Sequence, residues 1–307
     1  MDSSLNRVIL ATLGGYIIIL LFLSVYDWVE EKFPRRPTKQ INSERIQHPL
    51  CHEEATKALK RFSQLSKSQK DAIKRNLRNN LISMEQWTAD FHLFDYQIIC
   101  IGELHEESTR RFLAERFFSA VNTDILLLEA TSDKLKSLIN RMNTGRDYFP
   151  LLDADIMGIL RTVKNKNPDI RIWGIDQTDD QQKGQSNHFN SRDQSIAHNF
   201  WQKYKKGSHH IILFGALHCS NDSNWLFKNL LNHATKPLKE HMLNVNVLGE
   251  HQKGSLEAFV YFLDEIKIEK QTFVIPDTSA LHPQIYQLFQ SLNRQILEKY
   301  CSLIVFR

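Results

Sequence analysis

The sequence predicts an α/β fold: an open, largely parallel sheet flanked by helices, preceded by an N-terminal transmembrane helix and a small helical segment. Three observations carry this. From Val8 to Tyr26 the chain reads VILATLGGYIIILLFLSVY, nineteen residues without a charge. From His52 to about Phe94 apolar residues recur at three or four positions. Beyond Asp95 short apolar runs alternate with amphipathic stretches, as they do where helices pack on the faces of a sheet. The division expected is an anchor over 1–26, a linker over 27–50, a helical segment over 51–94 and an α/β domain over 95–307.

The first element is long enough to cross the roughly 30 Å hydrocarbon layer as a helix. A cleaved signal peptide would have a shorter apolar core and a small-residue cleavage site, whereas this run ends in Ser24-Val25-Tyr26-Asp27-Trp28. The anchor therefore has membrane lipid as its partner through residues 8–26. Lys32, Arg35, Arg36, Lys39 and Arg45 follow it and only Arg7 precedes it. That bias expects the bulk of the chain in the cytoplasm, with the exported side as the alternative. Pro34, Pro37 and Pro49 among charged residues mark the linker. Ala55, Leu59, Phe62 and Leu65 share a helical face, and Ser66 and Ser68 break that run, so two or three short helices fit.

In the α/β domain strands are expected over 97–101, 125–128, 170–175, 210–214, 259–263, 272–275 and 302–306. The whole chain is 42% hydrophobic and 24% charged, which excludes a disordered tail. Its 39 basic against 35 acidic residues are too nearly balanced to indicate a nucleic-acid surface. Cys51, Cys100, Cys219 and Cys301 form no C-x-x-C pair, so no zinc ribbon is indicated. A cytoplasmic domain would keep all four as thiols; an exported one would allow Cys51 and Cys301 to pair.

Ionisable groups collect at the strand exits. The first strand runs into Gly102-Glu103-Leu104-His105, the second ends at Glu129, the third at Asp176, and the fourth runs into Gly215-Ala216-Leu217-His218. Ligands of open α/β sheets bind outside the carboxyl ends of the strands, so these groups can converge on one pocket. Two histidines with carboxylates make a ligand set suited to a divalent metal, Mn, Co, Zn or Fe. Glu103, His105, Glu129 and His218 are the expected ligands. A metal there would activate water toward an ester or amide, with Glu129 as a ligand or a base. The string H-E-E-S-T is no H-E-x-x-H helix, because Thr109 takes the place of the second histidine. Ser191-Arg192-Asp193-Gln194 reads as a capping box. It leaves Arg192 in a first helical turn, free to clamp a carboxylate or an oxyanion or to pair with Asp193. Cys219 has no activating partner in sequence and reads as a small buried residue.

Taken together, Gly102-Glu103-Leu104-His105, Glu129, Arg192-Asp193 and Gly215-Ala216-Leu217-His218 resemble the superfamily that joins ChaN-like haem-binding proteins, the Tiki and TraB group, and erythromycin esterase. The resemblance covers about residues 95–307. It implies a single cleft holding both histidines and both glutamates, with His105, Glu129 and Arg192 catalytic. It also implies one of three chemistries: metal-dependent proteolysis, hydrolysis by a histidine-activated water, or haem binding. The leading expectation is a membrane-anchored, metal-dependent hydrolase of an ester or peptide bond in a small molecule or peptide. The alternatives are a haem-binding accessory protein of ChaN type, with haem on His105 or His218, and an inactive binding module.

Overall fold

The computed structural model describes residues 49–90, 93–143, 154–183, 189–249, 255–268, 272–289 and 299–306. The expected anchor over 8–26 and nearly all of the linker lie outside the described residues. Among those described, no helix is long and apolar enough to cross a membrane.

The expected helical segment is three helices: α1 (Pro49–Gln64), α2 (Lys67–Asn80) and α3 (Met84–Asp90). Ser66 separates the first two by capping α2. Its hydroxyl accepts from the Gln69 N–H while the Gln69 side chain accepts from the Ser66 N–H, so two helix-end donors are satisfied reciprocally. The apolar positions of α1 and α2, including Ala55, Phe62, Ile73 and Leu77, join the core of the α/β domain. Residues His48–Arg307 are accordingly one compact unit.

The sheet then builds in chain order. Strand β1 (Ile98–Glu103) leads into α4 (Glu107–Phe112), which continues as a wider π-helical stretch over Leu113–Phe118. Strand β2 (Ile125–Leu128) is followed by α5 (Ser132–Asn143) and α6 (Ala154–Lys166), and β3 (Arg171–Gly174) by the short α7 (Asp179–Gln182) and by α8 (Phe189–Lys203). Strand β4 (His210–Gly215) ends in a tight turn over Ala216–Cys219, followed by α9 (Leu226–His233) and the short α10 (Lys236–Lys239). Strand β5 (Met242–Leu248), α11 (Ser255–Glu265), β6 (Phe273–Ile275), α12 (Pro283–Leu288) and β7 (Ser302–Val305) complete it. The order across the seven-stranded sheet is β3-β2-β4-β1-β5-β7-β6. Every pairing is parallel except that of β6 with β7.

Two strand expectations change. The apolar run 259–263 is not a strand but lies within α11, where Ala258, Phe259, Phe262 and Leu263 are buried at helical spacing. The strand in its stead is β5, whose apolar character Asn244 and Asn246 interrupt. Asn244 fits a buried strand because its amide donates to the carbonyls of Cys219 and Lys299 and its oxygen accepts from the Cys301 N–H.

The cysteine expectations change as well. Cys100 in β1 and Cys219 after β4 are both fully buried and are joined as a disulfide. Cys301 is free, so it is not paired with Cys51.

The two faces of the sheet explain where a site forms. Leu113, Phe117, Ile159 and Val163, from the helices that follow β1 and β2, pack on one face. Ile196, Phe200, Leu226 and Leu230, from the helices that follow β3 and β4, pack on the other. Because β4 lies between β1 and β2, the chain leaves adjacent strands toward opposite faces at both of its edges. A crevice opens at such a switch point, outside the carboxyl ends of β1, β2 and β4.

Candidate functional site

Every expected site residue lies at that crevice. Glu103 is the last residue of β1 and is 2% exposed. A buried carboxylate needs compensation, and three donors supply it. The Arg110 Nε in α4 lies 2.9 Å from Oε1, the His105 Nδ1 lies 2.9 Å from the same oxygen, and the His105 backbone N–H donates to Oε2 at 3.1 Å. The tight return that brings His105 back onto Glu103 uses a positive φ of 55° at His105, a conformation uncommon outside glycine.

Glu129, one residue beyond β2, is the hub. Its Oε2 accepts from the Gly215 N–H at 2.8 Å and faces His105 Nε2 at 3.2 Å. Its Oε1 accepts from Arg192 Nη2 at 2.8 Å and lies 3.6 Å from His218 Nε2. Arg192 also grips Asp176 with two bonds, Nε to Oδ1 at 3.0 Å and Nη2 to Oδ2 at 2.9 Å. Its third nitrogen, Nη1, stands 3.2 Å from His218 Nε2. On the far side of that ring, His218 Nδ1 meets Asp193 Oδ1 at 2.5 Å. Asp193 is fully buried.

Gly215 has a steric reason to be glycine: a Cβ there would sit 2.9 Å from His105 Nε2, inside the cluster itself. At Gly102 a Cβ would sit 2.8 Å from the Ala216 Cα, so the two Gly-x-x-His segments touch backbone to backbone. Beside the cluster, a cavity of about 370 Å³ is lined by Glu129, Thr131, Lys134, Leu138 and Asp176.

The two imidazoles have different surroundings. Both ring nitrogens of His105 face carboxylates, Nδ1 with Arg110 Nη2 also 3.0 Å away. The hydrogen bonds from Glu103 and Glu129 outweigh burial and push its pKa up to about 9. Burial raises the Glu129 carboxyl, but His105, the Gly215 N–H, His218 and Arg192 together hold it down at about 2. In Arg192 burial is outweighed by Asp176 and Glu129, which hold the guanidinium charged. Burial pushes the Asp193 carboxyl up against the opposing pull of His218. His218 Nε2 faces the Arg192 guanidinium, which can only donate, and its Nδ1 faces Asp193 Oδ1.

These contacts change the metal expectation. Glu103, His105, Glu129 and His218 do come together, but through arginines and through one another. Among the described residues no group of three or more His, Cys, Asp or Glu side chains is placed to hold a metal ion. The reason is Arg192, whose guanidinium lies against Glu129 Oε1, Asp176 and His218 Nε2, where a cation would have to sit. The donor set does not fit a divalent metal.

Sequence reasoning missed Asp193 and Arg110. Asp193 reads as part of a capping box, yet α8 begins at Phe189 and carries it inside the first two turns, against His218. Its adjacency to Arg192 was the available signal. Arg110 lies one helical turn beyond the first histidine and carried none.

No protein-family model matches the sequence, and no curated protein is similar to it. Solved structures do match. A Bacillus cereus protein superimposes with a TM-score of 0.51 at 10% identity, covering 77% of this chain and 97% of that one. The two chains share a fold. ChaN of Campylobacter jejuni, described with cofacial haem, gives a TM-score of 0.40 at 11% identity over 74% of this chain and 96% of its own. A MARTX toxin effector domain of Vibrio vulnificus gives 0.30 at 19% identity over 56% of this chain and 40% of that one.

Proposed function

We propose that the crevice hydrolyses an ester or related acyl bond by acid–base catalysis without a metal. The observation that carries the reading is the pair of imidazoles on either side of Glu129, His105 between two carboxylates and His218 between Asp193 and the Arg192 guanidinium. His105, held charged between Glu103 and Glu129, is placed to act as an acid, and His218, held by Asp193, as a base. His218, oriented by Asp193, takes a proton from water at Nε2 once substrate displaces the Arg192 contact. The water oxygen then bonds to the acyl carbon. Arg192 stabilises the oxyanion that forms. His105 gives its Nε2 proton to the leaving oxygen as the acyl bond breaks, so the products are an acid and an alcohol. Glu129, spanning both rings, returns the proton from His218 to His105. Residues 8–26 anchor the protein to the membrane in this reading.

The test is hydrolysis of chromogenic acyl esters by the full-length protein in detergent after exhaustive chelation. Turnover that survives chelation and falls in His218→Ala and His105→Ala supports the reading. Turnover restored only by added metal, or none by any form, overturns it.

One observation favours a second reading. Leu104 and Leu217 are 39% and 60% exposed, and each sits inside a Gly-x-x-His segment. They give the rim an apolar surface suited to a flat ligand, and the ChaN branch that the motifs resemble binds haem. Both Nε2 atoms are engaged, by Glu129 and by Arg192, so an axial histidine would have to leave its partner. A Soret band that appears on adding haem and is lost in Leu104→Asp/Leu217→Asp would establish this reading. An unchanged spectrum removes it.

A further inference from the structure

Resting on the hydrolytic reading of the crevice, we propose that the Cys100–Cys219 bond is an oxidation-dependent lock. It positions His218, and the site is completed only where this chain folds in an oxidising compartment.

Cys219 directly follows His218, and Cys100 lies in the middle of β1, the strand that ends in Glu103. The bond closes 119 residues of chain and ties the two Gly-x-x-His segments together from beneath. The turn that carries His218 has other ties, and they hold main-chain oxygens. Tyr300 donates to the Ala216 carbonyl at 2.7 Å, and the Asn244 amide donates to the Cys219 carbonyl at 2.8 Å. The disulfide is the covalent member of that set. The geometry above it has no slack, with His218 at 2.5 Å from Asp193 and the Gly215 N–H at 2.8 Å from Glu129.

Both sulfurs are fully buried in the core beneath the sheet. Reduction breaks the S–S bond, and a dithiol supplies two electrons and two protons and is itself oxidised to a disulfide. The two thiols must then part to non-bonded contact inside close-packed surroundings, which shifts the turn. Burial also shields the bond from exchange in the folded protein, since a thiolate has to reach a sulfur to attack it. The lock is therefore set during folding and not toggled afterwards. Persistent disulfides belong to oxidising compartments. The α/β domain accordingly faces the exported side, opposite to the orientation expected from the basic flank of the anchor.

The experiment produces the full-length chain once with export and once in a reducing cytosol, then maps thiols by alkylation under denaturing conditions. The exported chain is expected to show Cys100 and Cys219 blocked, and to keep them blocked when treated with dithiothreitol while folded. Labelling of both residues in a folded, exported chain overturns the proposal. Cys100→Ala/Cys219→Ala, and the milder Cys100→Ala/Cys219→Val, are expected to lower kcat about 10- to 100-fold at similar KM, the cost of misplacing a catalytic group by about 1 Å. A folded double variant with the kcat and pH profile of the parent overturns the proposal. The downfield Nδ1 proton of His218 against Asp193, followed by NMR, reads the positioning directly. Its loss in the variants supports the lock even if no ester is turned over, so failure of the lock and failure of the hydrolytic reading are separable.

Discussion

Asp193→Asn separates catalysis from structure at this site. The carboxylate is fully buried, with Oδ1 at 2.5 Å from His218 Nδ1 and Oδ2 without a partner. Two effects on stability oppose each other. The amide loses a charge-assisted hydrogen bond, typically about 1.5–3 kcal/mol. It also removes a buried ion with one unpaired oxygen, whose desolvation costs several kcal/mol in comparable settings. These nearly cancel, so the midpoint of thermal unfolding should change little. Activity should not be spared. The amide can turn its NH2 toward His218, which moves the ring proton to Nε2 and places a donor against Arg192 where the base should be. Loss of the orienting carboxylate in Ser-His-Asp enzymes costs about 10⁴-fold in kcat, and a loss of roughly 10²–10⁴-fold is expected here at similar KM. Ester hydrolysis and a melting curve on the same preparation provide the check. A variant that melts like the parent and keeps kcat within about threefold, well inside the usual range of general-base effects, would refute the role of the Asp193–His218 pair.

Much of the fold was legible because its signals are local. Strand β2 is the uncharged run ILLL, and its expected and observed limits coincide. The exits of β1 and β4 are marked by matching Gly-x-x-His segments, which the register of the sheet sets side by side, Glu103 opposite Gly215. Strand β5 was hidden because two asparagines interrupt it, and the partners that satisfy Asn244 lie 25 and more residues away, at Cys219, Lys299 and Cys301. The segment at 259–263 misled because a short apolar run is too brief to show a period of its own, so that strand and buried helix look alike.

The candidate site was legible as a set of residues but not as a chemistry. Two histidines and two glutamates at strand exits look like metal ligands until the cations among them are placed. Arg192 was singled out, but nothing in the spacing says that one guanidinium reaches Glu129, Asp176 and His218 together. The disulfide was equally out of reach. Four isolated cysteines allow many pairings, and it is the turn over Ala216–Cys219, folding back from the end of β4, that brings Cys219 to Cys100 in the neighbouring strand.

Further outcomes follow from the same geometry. Gly215→Ala places a methyl 2.9 Å from His105 Nε2, so the ring should leave Glu129, with kcat falling about 10- to 100-fold and the His105 pKa moving back toward 6.5, as NMR titration of the ring would show; an unchanged titration refutes the steric role of Gly215. The folded pKa of His105 lies above its unfolded value, so its stabilising contribution is full below about pH 6.5 and is lost as pH rises through about 9. That of Glu129 lies below, so its contribution is full above about pH 4.5 and is lost as pH falls through about 2. Melting curves across those two windows check both signs, and a flat profile in either refutes the corresponding pairing. The last expectation concerns what Arg192 replaces. Three cations, His105, Arg110 and Arg192, face four carboxylates, Glu103, Glu129, Asp176 and Asp193. A further dication would have to displace Arg192 to reach Glu129 Oε1, Asp176 Oδ2 and His218 Nε2. Arg192→Ala removes that competitor and leaves two carboxylates and an imidazole around the vacated position, a mixed oxygen and nitrogen set acceptable to Co(II) or Zn(II). The variant should take up Co(II) with visible d–d absorption and lose hydrolysis, whereas the parent should show no such absorption at the same concentration. Equal Co(II) binding by parent and variant would show that the guanidinium does not occupy the cation's place, and with it the metal-free reading of the crevice would fall.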